Sequence, residues 1–246
     1  MVRLPAQRAW SRRVSAPAGP MNSDKQTAAF IRAEAIVVSK GVVAASAYLA
    51  VNRPGVRERV FRLGQAMLAA PLHGLLGQND RTLGNKVAHL ALRDMTVDRI
   101  AVLAEEYVED ILRDEIFDGG IDLIKRARDQ GHRIVLISEG IAQVMEALVQ
   151  HVRGVDELVC NHLEVKSGRA TGKLIEPIIG GHEGGRWVRD YAEKHDIDLA
   201  GSVAYAAHAP DLLLLAAVGR PCAVNPDYTL RKAAEEADWP VIEYSS

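Results

Sequence analysis

Two polar side chains one residue apart, Arg32 and Glu34, interrupt an apolar stretch that begins Ala28-Ala29-Phe30-Ile31 and resumes at Ile36-Val37-Val38. A buried parallel strand ending in polar groups delivers them to the carboxyl edge of an open α/β sheet, where such sheets bind ligands. Glu34 has the chemistry of a proton shuttle. The guanidinium of Arg32 stays protonated and is no nucleophile. Three more groups stand where apolar runs end or helical patterns open: Ser138 after RIVLI, Arg186 at the head of a helical pattern, and Asp211 shortly after Val203-Ala204-Tyr205.

To bring these groups together the chain must alternate strands and helices. After the first strand, residues 42–51 are apolar and are closed by the breaker cluster Asn52-Arg53-Pro54-Gly55. Residues 56–112 read as helices alone. Val60, Leu63, Met67 and Leu68 recur at helical spacing, as do Val87, Leu90 and Leu92. In the third helical segment Ile100, Leu103, Ala104, Tyr107, Val108 and Ile111 form one face, opposite Glu105, Glu106, Glu109 and Asp110. From Gly119 the spacing predicts a helix over 121–128, a strand over 133–137, a helix over 141–152 and a strand over 158–160. A hairpin of 163–166 and 171–175 turns at Ser167-Gly168. Then follow a helix over 186–195, a strand over 203–205, a helix over 211–218, a strand over 222–224, a helix over 229–237 and a strand over 241–244. This rhythm predicts an α/β fold, a three-layer parallel sheet of Rossmann type with helices on both faces. The strand at 28–31 is expected centrally, beside the strands ending at Ser138 and Tyr205. The expected division is a disordered extension over 1–22, an α/β core over 23–38 and 117–246, and an inserted helical cap over 39–116.

With 246 residues, 48% of them apolar, the chain is long enough to bury a full core. Thirty basic against 32 acidic side chains argue against nucleic acid or an anionic membrane as a partner. No apolar run reaches the roughly 20 residues of a membrane span. Cys160 and Cys222 stand far apart without a partner motif and read as reduced core thiols, which fits a cytoplasmic location. Arg3, Arg8, Arg12 and Arg13, among Ala, Ser and Pro and without any acid, favour disorder in the first stretch, and Met21 offers an alternative start.

Residues 204–212, 217–221 and 223–227, together with the first strand, the helical insert and RIVLIS, make the chain similar to the haloacid dehalogenase superfamily, in particular its phosphoserine-phosphatase-like branch. The resemblance implies that the first strand should end in Asp-x-Asp, whose first Asp attacks phosphorus and whose second serves as acid and base. Those places hold Arg32 and Glu34. It implies a phosphoryl-binding hydroxyl at Ser138, beside which Glu139 is a poor neighbour for an anion. It implies a lysine where Gly184 stands, the nearest cation being Arg186. It also implies an Asp-x-x-x-Asp whose first acid holds magnesium, and the places are Ala207 and Asp211. Relative to that pattern, positions 32 and 207 add about three charge units of positive charge and the lost lysine removes one.

The apolar framework is kept and the polar positions are altered, so the expected function is that of a catalytically inactive phosphatase homologue that binds a ligand or partner. No cofactor is expected, and magnesium only under the alternative of an active phosphomonoesterase with an altered site. Two roles are open for Arg32. It pairs with Glu34 or Asp211 in the space of the lost metal, or it binds a phosphorylated or carboxylated small molecule together with Ser138 and Arg186. The histidines, among them His182 beside Glu183 and His208, lack metal-ligand spacing. Gly180-Gly181 and Gly184-Gly185 suggest a loop near an anion, without a phosphate-loop pattern. Residues 60–76 are more apolar than an exposed cap requires, which leaves cap packing or a lipid or protein contact.

Overall fold

A computed structural model describes residues 25–39, 41–52, 82–180 and 184–244. The expected extension over 1–22, the apolar stretch 60–76 and the pair His182-Glu183 lie outside the described residues.

The sheet is built from β1 (Ala28–Arg32), β2 (Arg133–Ile141), β3 (Glu157–Asn161), β6 (Val203–Ala206), β7 (Arg220–Val224) and β8 (Val241–Ile242), in the order β3-β2-β1-β6-β7-β8. Every pairing is parallel. The strand order reverses direction at β1, and the crevice at the carboxyl end of β1 and β6 is therefore the expected ligand position of a doubly wound sheet. Alternate residues of each strand feed opposite cores. Ala29, Ile31, Ile134, Leu136, Val203 and Tyr205 enter one cluster, while Ala28, Phe30, Val135, Ile137, Ala204 and Ala206 enter the other. A strand buried on both faces needs a continuous apolar run, and AAFI and RIVLI supply it.

Between β1 and β2 lie α1 (Val42–Val51), α2 (Thr82–Leu90) and α3 (Val97–Tyr107). Helix α1 has no charged residue, as suits a helix buried among others. Its Tyr48 meets Tyr107 of α3 with ring centroids 5.1 Å apart. Thr96 caps α3, its hydroxyl accepting from Arg99 N at 3.3 Å. The chain then passes through a π-helical turn, Val108–Leu112, and a 3-10 turn, Arg113–Glu115. That turn changes the phase of the apolar face: Leu112 is buried, whereas Ile111 is only half-buried.

The hairpin of β4 (Leu163–Lys166) and β5 (Arg169–Leu174) docks on the corner between α2 and α3. Ala170 donates to Met95 O at 2.8 Å and accepts from Asp94 N at 2.8 Å. Residues placed by sequence with the α/β core thus pack against the inserted helices. The remaining helices are α4 (Asp118–Asp129), α5 (Ala142–Val149), α6 (Gly184–His195), α7 (Leu212–Leu215) and α8 (Tyr228–Glu236). The helix expected over 211–218 is reduced to the four residues of α7. Pro210 lies in a 3-10 turn, Ala209–Asp211, that precedes it. Both cysteines are buried and unpaired, and burial pushes their thiols up to about 12. No helix among the described residues is long and apolar enough to cross a membrane.

Candidate active site

Strand β1 ends at Arg32, and the next residues fold back in a single tight turn. Ala33 O accepts from Val37 N at 2.8 Å and from Val38 N at 3.0 Å. Ala35 adopts a left-handed conformation with φ 62°, which costs a residue with a Cβ roughly 1 kcal/mol. The turn holds Glu34 over the end of β2. There its Oε1 accepts from Ser138 Oγ at 2.6 Å and from Glu139 N at 2.9 Å.

Strand β2 runs beyond its expected end at Ile137 and carries Ser138, Glu139 and Gly140. Glu139 points at Arg32, whose Nη2 donates to Glu139 Oε1 at 2.6 Å. The same nitrogen stands 3.7 Å from Glu34 Oε2, and Arg32 Nε stands 3.2 Å from Asp211 Oδ1. Arg32, Glu139 and Asp211 are only 3%, 2% and 4% exposed. Three carboxylates therefore surround one buried guanidinium. Burial works against the charged form of Arg32, and the opposing pull of Asp211, Glu139 and Glu34 is the stronger, so its proton is held above the ordinary arginine value.

Two further residues fix this cluster without having been singled out by sequence. Asn161, at the end of β3, donates to Glu139 O at 2.7 Å and to Ile179 O at 3.0 Å, and accepts from Ile179 N at 2.7 Å. It ties residues 177–180 to the tip of β2. Asp227 caps α8 by accepting from Leu230 N at 2.8 Å and also accepts from Ala209 N at 3.0 Å, which anchors the loop leading to Asp211. An Asn at the end of a strand and an Asp three residues before a helical Leu were the available signals.

A cavity of about 240 Å³ opens beside the cluster, lined by Arg32 and Asp211 at its base, by Ile137, Ile178, Ile179 and Leu214, and by Trp187, Arg186 and Asp190 of α6. Gly184 also borders it. A Cβ at Gly184 would stand 3.3 Å from Leu214 Cβ, and one at Gly185 would stand 2.4 Å from Leu213 O. Helix α6 thus lies against α7 at a distance that the second glycine alone permits. Any longer side chain at Gly184 needs Leu214 to yield.

The expected positions fall as follows. Arg32, Gly184 and Asp211 border one cavity, and Glu34 lies behind it. Ser138 is not among the residues lining the cavity: its hydroxyl donates to Glu34, accepts from Gly140 N at 2.9 Å, and is fully buried. The turn after β1 brings Glu34 onto it and directs the hydroxyl to that carboxylate. Arg186 stands at the rim, largely exposed and 3.8 Å from Asp190. Ala207 is fully buried.

Among the described residues, the side chains of this cluster do not fit a divalent cation. Magnesium needs carboxylate oxygens open to it. Glu34, Glu139 and Asp211 are turned to a guanidinium that fills the space among them, and Ala207 offers no oxygen from its side chain.

A doubly wound sheet with its polar cluster at the switch point and helices inserted after the first strand defines the class of α/β protein to which the chain belongs. The chain belongs to the haloacid dehalogenase-like hydrolase family, whose model matches residues 42–216, a span that begins after Arg32 and Glu34. A protein of Streptomyces azureus called inhibition of morphological differentiation protein is 30% identical over 153 residues, 62% of this chain and 54% of that one. A phosphoserine phosphatase of Mycobacterium tuberculosis is 27% identical over 173 residues, 70% of this chain and 56% of that one. The chain spans about half the length of these curated relatives. Among solved structures, a protein of unknown function from Bordetella pertussis superposes with a TM-score of 0.75 at 20% identity, covering 89% of this chain and 98% of that one. An apo phosphoserine phosphatase superposes with a TM-score of 0.65 at 16% identity, covering 89% and 94%. At these identities the structures establish the shared fold.

Proposed function

We propose that this chain is a catalytically inactive member of its phosphatase family that acts by binding. The observation that supports this is the guanidinium of Arg32, buried among Glu139, Asp211 and Glu34 where the family resemblance implies a nucleophilic carboxylate. A covalent phosphoryl intermediate needs an unprotonated nucleophile open to phosphorus, and the guanidinium of Arg32, which stays protonated, is none. Glu139 is buried against the guanidinium, Glu34 is occupied by Ser138 and the Glu139 amide, and Asp211 is ion-paired to Arg32 Nε. Relatives named phosphoserine phosphatase make phosphoserine the first substrate to try.

The test is hydrolysis of phosphoserine and a generic aryl phosphate with magnesium, for the unmodified chain beside a variant carrying Arg32→Asp and Ala207→Asp. Loss of a nucleophile lowers a rate on the order of a millionfold. The unmodified chain is expected to show no turnover above background. The double variant is expected to regain little, since Gly184 still lacks a lysine and Leu214 crowds that position. Robust, magnesium-dependent turnover by the unmodified chain would defeat the proposal and establish an active phosphomonoesterase with an altered site.

A further inference from the structure

We propose that Tyr244, which follows β8 in the chain, is a positioning residue for the charge cluster: it latches the turn after β1 and so holds Glu34 in place. The latch acts on the geometry of the site, whether the site binds a ligand or turns it over. The Tyr244 hydroxyl donates to Ile36 O, inside the turn that folds Glu34 back over β2. The turn has backbone bonds of its own, Val37 N to Ala33 O and Ala35 N to Val38 O, both at 2.8 Å. It also holds Ala35 at φ 62°, a conformation that alanine does not favour. Such a conformation persists where the surrounding structure over-determines it, and Tyr244 supplies part of that surrounding from 208 positions away in the sequence.

Packing gives the ring a defined seat. Tyr244 is half-buried against the first turn of α4, where a Cβ at Gly119 would stand 2.4 Å from its Cγ. Phe117, the residue before α4, meets it with ring centroids 6.1 Å apart. Phe117 N in turn donates to Val37 O at 2.9 Å. A Cβ at Gly120 would stand 2.2 Å from Ile36 O, so the carbonyl that accepts from Tyr244 also rests on α4. The turn is thus fixed to α4 by backbone contact and to the chain after β8 by a side-chain hydrogen bond.

The backbone of Tyr244 is tied to the other half of the cluster. Its N–H donates to Asn225 Oδ1 at 3.0 Å, and Asn225 N donates to Ile242 O at 2.9 Å. Two residues further on, Asp227 N donates to Ala207 O at 2.9 Å, and Asp227 Oδ2 accepts from Ala209 N at 3.0 Å. Residues 225–227 therefore brace both Tyr244 and the loop that carries Asp211. Glu34 and Asp211 stand 3.7 and 3.2 Å from the nitrogens of Arg32, and both are braced from this one segment, Glu34 through Tyr244. Without the hydroxyl the turn keeps its own backbone bonds and loses this link.

The experiment is amide hydrogen exchange of the full chain, resolved residue by residue by nuclear magnetic resonance. Three amides report the turn: Ala35 and Val37, which donate within it, and Glu139, which donates to Glu34 Oε1. Tyr244→Phe keeps the ring and removes the hydroxyl. Tyr191→Phe is the matched control, since it removes a hydroxyl that donates to Glu157 Oε2 at 2.6 Å in the opposite core. Each variant loses a hydrogen bond of the folded state, so both are expected to speed those amides of β1 that exchange through global unfolding. Tyr244→Phe alone is expected to speed the three turn amides as well, roughly fivefold, the factor supplied by one hydrogen bond of typical net strength. It is also expected to shift the Glu139 amide resonance, whose proton faces the Glu34 carboxylate. Gly119→Ala is a second variant, which keeps the hydroxyl and displaces the ring. Alanine is the better helix former, so α4 itself is not weakened. This variant is expected to speed the same three amides, and adding Tyr244→Phe to it is expected to speed them no further. The inference is overturned if Tyr244→Phe leaves the three amides or the Glu139 resonance unchanged, if Tyr191→Phe speeds the turn equally, or if the effects of Gly119→Ala and Tyr244→Phe add. Phosphate release, which tests the proposed function, is read separately, and neither result bears on the other.

Discussion

At Arg32 a residue that stands where the family resemblance implies a nucleophile also supports the fold. Its positive charge lies within 4 Å of three carboxylates in a region where Arg32, Glu139 and Asp211 are almost wholly buried. Taking the guanidinium away strands those carboxylates, and breaking a buried pair in this way costs about 3 kcal/mol or more. Arg32→Ala is therefore expected to lower the unfolding free energy by about 3 kcal/mol at neutral pH, measured as a shift of the urea midpoint at unchanged slope. A loss below about 0.5 kcal/mol, the scale of exposed pairs, would show that the cluster is solvated and its charges screened. Part of this arrangement was legible in the sequence: the family resemblance offered Glu34 or Asp211 as partners of Arg32, one of two roles left open for it, and both stand within ion-pair distance of it. Glu139 was not, because the apolar run stops at Ile137 and nothing in the sequence tells that β2 continues past Ser138. The turn that lays Glu34 on Ser138 was equally hidden, since it depends on Ala35 taking a left-handed conformation that alanine does not favour.

Among the elements, those with long periodic patterns agree with the sequence, and departures occur where backbone geometry breaks the period. Helix α3 shows both. Ile100, Leu103, Ala104, Tyr107 and Val108 face the core as the 3.6-residue pattern requires. The π-helical turn then inserts an extra residue per turn, so Leu112 takes the buried place that regular spacing assigns to Ile111. Leu112→Ala is expected to cost about 3 kcal/mol, the usual scale for a fully buried leucine, and Ile111→Ala less than half of that. Paired urea titrations of the two variants decide the matter. Equal costs, or a larger cost at Ile111, would mean that the helix keeps its regular phase to its end. The same kind of break shortens the helix after β6, where Pro210 imposes a 3-10 turn and leaves only Leu212–Leu215 helical. That shortening has a consequence for the site. It brings Leu213 O and Leu214 against α6, an approach that requires glycine at Gly185.

For the whole molecule the strand order β3-β2-β1-β6-β7-β8 explains where the crevice lies. The crevice follows from the reversal of winding at β1, and no polar residue is needed to create it. Composition and alternation were enough to predict a parallel sheet with helices on both faces. The docking of the β4–β5 hairpin on the inserted helices was not predictable, since it rests on backbone bonds such as Ala170 N to Met95 O that leave no trace in side-chain patterning. What the crevice holds is then a question of local charge. A magnesium ion present at a hundredfold excess over its Kd would stabilise the fold by about 2.7 kcal/mol. In a chain of this size that raises the melting temperature by roughly 5 to 10 °C. With Arg32 filling the space among Glu34, Glu139 and Asp211, millimolar magnesium is expected to leave the melting temperature of the unmodified chain where it was. The variant carrying Arg32→Asp and Ala207→Asp removes the guanidinium and adds two carboxylates. It is expected to start lower, because acids crowd without their counter-ion, and to rise measurably on adding magnesium, which relieves that crowding. Scanning calorimetry of both proteins with and without the ion reads the two shifts directly. A clear magnesium-dependent rise in the unmodified chain that Asp211→Asn abolishes would mean that the ion displaces Arg32 from its acids, and the cluster would have to be reassigned as a metal site held shut by its own arginine.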